Sequence, residues 1–302
     1  MKISCDARSL LPVASREATS AAALIGQVVG GLVVERVVAE GGVGVVYAAR
    51  PLRGGGVRAL KVLKASLAGD IGYRTRFAQE IAYARRVAHV NVVAVRDHGR
   101  LADGRPWLTM DLLEGATLGA LVRREGPLPL ARALEITDQV LAGLAAMHAA
   151  HVVHQDLQPD NVFLARDPAA PSGFGERAVI LDLGFARDHG SGARASIFGT
   201  PAFMSPEQAL SGRAITAQSD LFVAALLLSY ALTGKPPFHR LAARDMLVAI
   251  VRSAPVPVRR ARRDVPIELD RILARALAKH PDARFSGAAE MRSALGRLAC
   301  AA

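Results

Sequence analysis

The stretch that most constrains this chain is Val152-Val153-His154-Gln155-Asp156-Leu157-Gln158-Pro159-Asp160-Asn161. It sets His154, Asp156 and Asn161 in a short turn directly after a segment with strong helical periodicity, Leu130–His148. Twenty-one residues beyond Asn161 a second carboxylate, Asp182, follows the apolar run Ala178–Leu181 and precedes Leu183-Gly184. An Asp in a turn, an Asn five residues on and an Asp at a strand end can face one cleft. Together they supply a base and hard oxygen ligands suited to Mg²⁺. Taken alone, the stretch also fits a polar turn whose Asp and Asn bond only nearby backbone.

Composition narrows the class. With 51% hydrophobic and 22% charged residues over 302 positions, the chain can bury a sizeable core in one large or two small domains. Its two cysteines, Cys5 and Cys300, stand near opposite ends without a CxxC or Cys/His cluster, so neither a disulfide framework nor a zinc site is indicated. The first residues lack the apolar core of a signal peptide. The longest apolar run, Leu221–Leu232, is interrupted by Ser229 and is too short for a membrane span, so it reads as a buried helix. A cytoplasmic protein with no membrane span is expected. The net charge of +11 is densest from Arg252 to Arg263, without aromatic interleaving or a nucleic-acid motif. Those arginines are expected to be solvated loop charge, and no nucleic-acid partner is expected.

Along the chain, 1–24 reads as a loosely held leader. A β-rich region follows: strand character over Val28–Val38, the interruption Gly41-Gly42-Val43-Gly44, strand Val45–Ala49, the turn Gly54-Gly55-Gly56 and strand Val57–Leu63. Arg74–Ala88 is expected to be helical, with Glu80 bordering its apolar stripe, and Val92–Val95 and Trp107–Leu112 are short strand candidates. After Glu114-Gly115 the character changes. Phe163-Leu164 and Val179–Leu181 can pair as short strands, and the last helices are expected near Ile267–Ala278 and Gly287–Leu298. A small β-rich lobe over 25–113 thus precedes a larger, mostly helical lobe over 114–302.

The glycines at 41, 42 and 44 let backbone N–H groups close over phosphates, although any tight hairpin also uses glycine. Lys61 alternates with apolar neighbours in Arg58-Ala59-Leu60-Lys61-Val62, and an inward Glu80 could pair with it. The ordered set of glycine hairpin, strand Lys, helix Glu, His-x-Asp-x-x-x-x-Asn, Asp-x-Gly and Gly199-Thr200-Pro201-Ala202-Phe203-Met204-Ser205-Pro206-Glu207 resembles the protein-kinase family. The phrasing Glu40–Tyr47 and Gly199–Gln208 looks most like its bacterial members, the eukaryotic-like serine/threonine kinases, and the resemblance covers about 25–298.

The resemblance implies an α+β, bilobal protein-kinase-like fold and transfer of the ATP γ-phosphoryl group to a protein Ser or Thr hydroxyl. ATP, Mg²⁺ (with Mn²⁺ as an alternative) and protein substrates are the implied ligands. Within it, Gly41, Gly42 and Gly44, with Ala39, Glu40 and Val43 of the same loop, would cover the phosphates. Val46 and Ala59 would roof the adenine over Phe163, and Met110 would be the gatekeeper. The backbone of Asp111 and Leu113 would bond the adenine edge. Lys61, oriented by Glu80, would hold the α- and β-phosphates. Asp156 would accept the hydroxyl proton, Asn161 and Asp182 would bind metal, and Gln158 stands at a phosphoryl-contacting position. Ser196, Thr200 and Glu207 fall in the activation segment. Glu207 would pair with Arg284, and Asp220 would steady the catalytic loop.

Five positions depart from the family pattern. Ala39 stands for the first loop glycine, Leu183 for the Phe after Asp182, and Val90 for the Pro before Asn91. Gln155 replaces an Arg that would clamp a phosphorylated activation segment, so phosphorylation at Ser191, Ser196 or Thr200 loses its most direct charge partner. Gln158 replaces a Lys at the transferring phosphoryl group, a loss worth on the order of 10²–10³ in rate. Reduced activity is therefore expected. A pseudokinase acting as a nucleotide-binding signalling scaffold is the alternative. A small-molecule phosphotransferase is disfavoured by the Gly199–Glu207 platform, and Pro159 and Thr200 favour Ser/Thr over Tyr.

Overall fold

The computed structural model describes residues 22–170, 173–188, 201–210, 214–238 and 242–299. They form two compact units. One comprises the described residues up to Phe77 with Val95–Leu112, the other Ala78–Ala94 with the described residues from Leu113 onward. Ser191, Ser196, Gly199, Thr200 and both cysteines lie outside the described residues.

In the first unit β1 (Val28–Val29), β2 (Leu32–Glu40), β3 (Gly44–Pro51), β4 (Arg58–Leu63), β5 (Val95–Arg100) and β6 (Pro106–Asp111) form an antiparallel sheet in the order β1-β2-β3-β4-β6-β5. The period-two alternation of side chains divides β3 and β4 between two faces. Val45, Tyr47 and Ala49 with Leu60 and Val62 pack into a core completed by Leu32, Val34 and Trp107. The register Val46↔Lys61 and Ala59↔Met110 consequently places Val46, Ala59, Lys61 and Met110 together on the opposite face.

Trp107 packs against two glycines. A Cβ on Gly99 would lie 2.6 Å from the indole, and one on Gly30 would lie 2.3 Å from it. The expected strand Val92–Val95 is displaced: Val92 makes a single parallel bridge to Ile180, and the strand itself runs Val95–Arg100. This edge strand carries the mostly exposed sequence Arg96-Asp97-His98-Gly99, so no apolar alternation marks it.

Helix α1 (Ile71–Arg86) starts in the first unit and continues into the second. The second unit then contains β7 (Gly115–Thr117), α2 (Leu118–Glu125), α3 (Leu130–Ala149), β8 (Val152–Val153), β9 (Val162–Arg166), β10 (Glu176–Ile180), β11 (Arg187–Asp188), α4 (Pro206–Ala209), α5 (Ala217–Thr233), α6 (Ala243–Arg252), α7 (Ile267–Ala276) and α8 (Ala288–Ala299). Helix α2 has no counterpart among the expected elements. Its N-cap Thr117 accepts a hydrogen bond from Ala120 N–H at 3.1 Å, and Gly126 at φ 80° closes it. The run Leu221–Leu232 is the interior of α5, buried on every side as an all-round apolar helix must be. Among the described residues no helix is long and apolar enough to cross a membrane.

The arginine run is not simply solvated. Arg262 donates to Leu128 O and Leu232 O and pairs with Asp264 at 2.7 Å, while Arg259 donates to Val265 O at 2.6 Å. Arg260 and Arg263 are exposed. Two of the five arginines expected to be solvated, Arg259 and Arg262, therefore tie backbone carbonyls together.

Candidate active site

Strand pairing assembles the opening stretch. β9 and β10 are antiparallel with Val162 opposite Ile180, so the residues just outside the pair, Asn161 and Leu181, are adjacent, and Leu181 N–H donates to Asn161 O at 2.8 Å. The turn ending at Asn161 and the turn beginning at Asp182 thereby meet. On the other side, β8 pairs with β11, which anchors the residues before His154 to those after Asp182.

His154 joins the two turns. It is fully buried, its Nδ1 accepts from Asp156 N–H at 3.2 Å, and its Nε2 contacts Leu181 O at 3.0 Å. A backbone amide can only donate and a carbonyl can only accept, so Nδ1 is the ring's acceptor and Nε2 its donor. Asp220, in the first turn of α5, accepts from His154 N–H at 2.9 Å and from Gln155 N–H at 3.1 Å, and its Oδ2 lies 2.8 Å from His148 Nε2. Burial pulls its pKa upward, but the His148 bond and the nearby His148 and His154 groups outweigh it and hold the carboxyl below its ordinary value. The steadying role expected of Asp220 is thus visible as bonds.

Three non-glycine residues among those described have left-handed backbone: His151 at φ 58°, Gln155 at φ 67° and Asp182 at φ 58°. All three lie in the two turns or at their entrance. Such conformations persist only where surrounding bonds over-determine them, and they concentrate at working sites.

Asp156 is the centre of the cluster. Asn161 Nδ2 donates to Asp156 O at 2.7 Å and to Asp156 Oδ2 at 3.3 Å, and Gln158 Nε2 reaches Oδ2 over a long 3.5 Å. Burial pushes the Asp156 carboxyl up to about 6, and the negative charge of Asp182 adds to the rise. His154 and the bonds from Asn161 and Gln158 oppose it. Because Asn161 turns its nitrogen toward Asp156, its amide oxygen is the atom left for a cation. Asp182 Oδ1 accepts from Gly184 N–H at 3.1 Å. Among the described residues no group of three His, Cys, Asp or Glu side chains forms a metal cluster; the oxygen donors on offer are the Asp182 carboxylate and the Asn161 amide oxygen, beside the Asp156 carboxylate. That hard-oxygen set fits Mg²⁺, which retains several waters and takes few protein ligands, and the mutual repulsion of Asp156 and Asp182 is the charge that a divalent cation would neutralise.

The remaining expected residues fall as follows. Gly41 N–H donates to Gly44 O at 2.9 Å, closing the hairpin. A Cβ on Gly42 would meet open space, whereas one on Gly44 would lie 2.8 Å from Val62 O. Ala39 pairs with Val46 beside this turn, Val43 O accepts from Lys64 N–H at 3.1 Å, and Glu40 forms an ion pair with Lys64 at 2.7 Å. Lys61 Nζ lies 5.9 Å from the Phe77 ring centroid. Asp111 is held by a two-pronged pair with Arg96, at 3.0 and 2.6 Å. In the second unit, Glu80 is buried in α1, Leu113 follows β6, and Phe163 stands opposite Val179 and Thr117. Glu207 sits 2.8 Å from Arg284, both almost wholly buried. Burial lowers the Arg284 pKa against the pull of Glu207, and the guanidinium also donates to Gln218 O, Ala278 O and Lys279 O.

Sequence reasoning missed His148, Gln208 and the Tyr83–Arg86–Asp188 group, in which Tyr83 O–H and Arg86 both donate to Asp188. Only Gln208 had a readable signal, the Ser205-x-x-Gln208 spacing of a capping box.

Residues 32–295 match the protein kinase domain family. Serine/threonine-protein kinase PknB of Mycolicibacterium smegmatis is 36% identical over 270 residues, covering 85% of this chain and 41% of that protein. Serine/threonine-protein kinase pkn3 of Myxococcus xanthus is 34% identical over 271 residues, 87% of this chain and 49% of its own length. The chain thus spans less than half the length of the curated relatives it matches. The crystal structure of the Mycobacterium tuberculosis PknI kinase domain superposes with a TM-score of 0.69 at 26% identity, covering 90% of this chain and 98% of that one. A β-rich unit, a mostly helical unit, a loop built around His154, Asp156 and Asn161, and a family match over most of its length lead to one conclusion: this chain belongs to the protein kinase domain family.

Proposed function

We propose that the chain is a protein serine/threonine kinase domain, spanning about residues 25–298, that uses ATP and Mg²⁺ in the cytoplasm. The observation that carries this reading is the geometry around Asp156, a half-buried carboxyl bonded by Asn161 and Gln158 beside Asp182, with burial pushing it up to about 6. Such a group is mostly ionised at neutral pH yet basic enough to take a proton.

In this reading Asp156 orients the substrate hydroxyl and accepts its proton as the oxygen attacks the γ-phosphorus; the bond from that phosphorus to the β-bridging oxygen breaks, leaving ADP. Bound Mg²⁺ supplies charge neutralisation on the phosphates. Asn161 and Asp182 would supply oxygen ligands to it, and by the family resemblance Lys61 would supply positive charge to the α- and β-phosphates. Gln158 contributes an amide donor in place of an ammonium, which supports turnover at reduced rate.

The test is incorporation from radiolabelled ATP with Mg²⁺ into the chain itself and into generic protein substrates. Incorporation above that of an Asp156→Ala control is expected. Equal incorporation would sink the reading and favour a nucleotide-binding pseudokinase. A parallel Gln158→Lys variant is expected to raise kcat by about tenfold or more, since it restores one charged contact.

A further inference from the structure

We propose that Gln208 is a positioning residue for Asp156, acting as a bridge from helix α4 to the strained peptide that precedes the base; this rests on the kinase reading above. Its side-chain amide has two ends and both are engaged. Oε1 accepts from Ser205 N–H at 2.9 Å, which completes a capping box in which Ser205 Oγ accepts from Gln208 N–H at 3.4 Å. Nε2 donates to the main-chain oxygen of Gln155.

Gln155 lies immediately before Asp156 in left-handed backbone at φ 67°. A non-glycine residue pays a steric cost in that conformation and keeps it only where the surrounding structure holds it. Its N–H is held by Asp220 Oδ1 at 3.1 Å, and its C=O is held by Gln208. Asp220 therefore fixes one side of the peptide and Gln208 the other. The orientation of the following residue, and with it the Asp156 carboxylate, depends on both.

The two ends of the amide separate by chemistry. Gln208→Glu keeps an acceptor for Ser205 N–H, and Glu is itself a normal capping-box residue, so the helix start is retained. An ionised Glu cannot donate to Gln155 O and repels it, so the bridge is lost, while Gln208→Leu removes the bridge without adding charge. Glycine at 155 adopts left-handed backbone without the Cβ penalty and needs the bridge less.

The experiment measures kcat and KM for ATP, together with urea unfolding midpoints, for the wild-type chain, Gln208→Glu, Gln208→Leu, Gln155→Gly and the Gln155→Gly/Gln208→Glu double variant. Gln208→Glu is expected to lower kcat about tenfold with KM for ATP unchanged, and the slower hydrolysis of ATP by water is expected to fall in parallel. In the Gln155→Gly background the same change is expected to cost less than threefold, and its midpoint shift is expected to shrink by at least half. An unchanged kcat in both Gln208 variants overturns the proposal. So does a penalty that is identical in the two backgrounds, which would mean that Gln208 acts only as a helix cap. A wild-type chain without phosphotransfer overturns the kinase reading and the positioning role with it, while the midpoints still report whether the bridge exists.

Discussion

At the scale of single residues, the environment of Asp156 sets stability against chemistry. The carboxyl ionises near 3.8 when unfolded and near 6 in the folded chain. Between those values the folded state holds the extra proton, so the group costs nothing at lower pH, and its penalty grows with rising pH and is complete above about 6. The difference corresponds to on the order of 3 kcal/mol. Asp156→Asn, which can keep the acceptor for Asn161 and Gln158, is expected to abolish phosphotransfer and to raise the thermal midpoint by several degrees at pH 8. That gain should vanish by about pH 4, as calorimetry across pH would show. Gly99 makes a second residue-scale case. An added methyl 2.6 Å from the indole must displace Trp107, the chain's one tryptophan. Gly99→Ala is expected to destabilise by about 1–3 kcal/mol and to shift the tryptophan emission to longer wavelength, both read in one urea titration.

At the scale of elements, the second unit is organised by helix α5, which is buried all round and supplies Asp220 from its first turn. Its neighbour Gln218 accepts from Arg284 through its main-chain oxygen, so the same turn holds both the His154–Gln155 backbone and the Glu207–Arg284 pair. That pair is close, but the Glu207 oxygens gain no aligned hydrogen bond from it. Removing one partner leaves the other charge buried and unpaired. Arg284→Met is expected to cost about 3–5 kcal/mol. The double variant Arg284→Met/Glu207→Leu should recover much of that loss, and a double-mutant cycle by chemical denaturation measures the difference.

At the scale of the whole molecule, the net charge of +11 acts on encounters more than on the fold. An acidic protein substrate is expected to show a higher kcat/KM than a basic one of similar length at low ionic strength. The gap should close by about 0.5 M salt, where the screening length falls below about 5 Å. Initial rates over a salt series check it; a gap independent of salt would assign the preference to local contacts instead.

Periodicity and turn chemistry in the sequence already point to the long apolar helix and the glycine-tipped hairpin followed by a third strand, and allow the β9–β10 pairing, because each follows from local burial patterns. The opening stretch likewise announced an Asp, an Asn and a distant Asp, since residue type and spacing are local properties. Other features arise only when distant segments meet. The edge strand Val95–Arg100 carries no apolar alternation, since its solvated side needs none. Arg262 reads as a solvent charge until folding brings Leu128 O and Leu232 O within its reach. The basicity of Asp156 depends on burial and on Asp182, neither of which is a property of sequence neighbours. The left-handed peptide at Gln155 is stable only because Asp220 and Gln208, 65 and 53 residues away, bond its two ends. Chemical identity is written along the chain; pKa, strain and bracing are set by which remote groups the tertiary structure brings into contact.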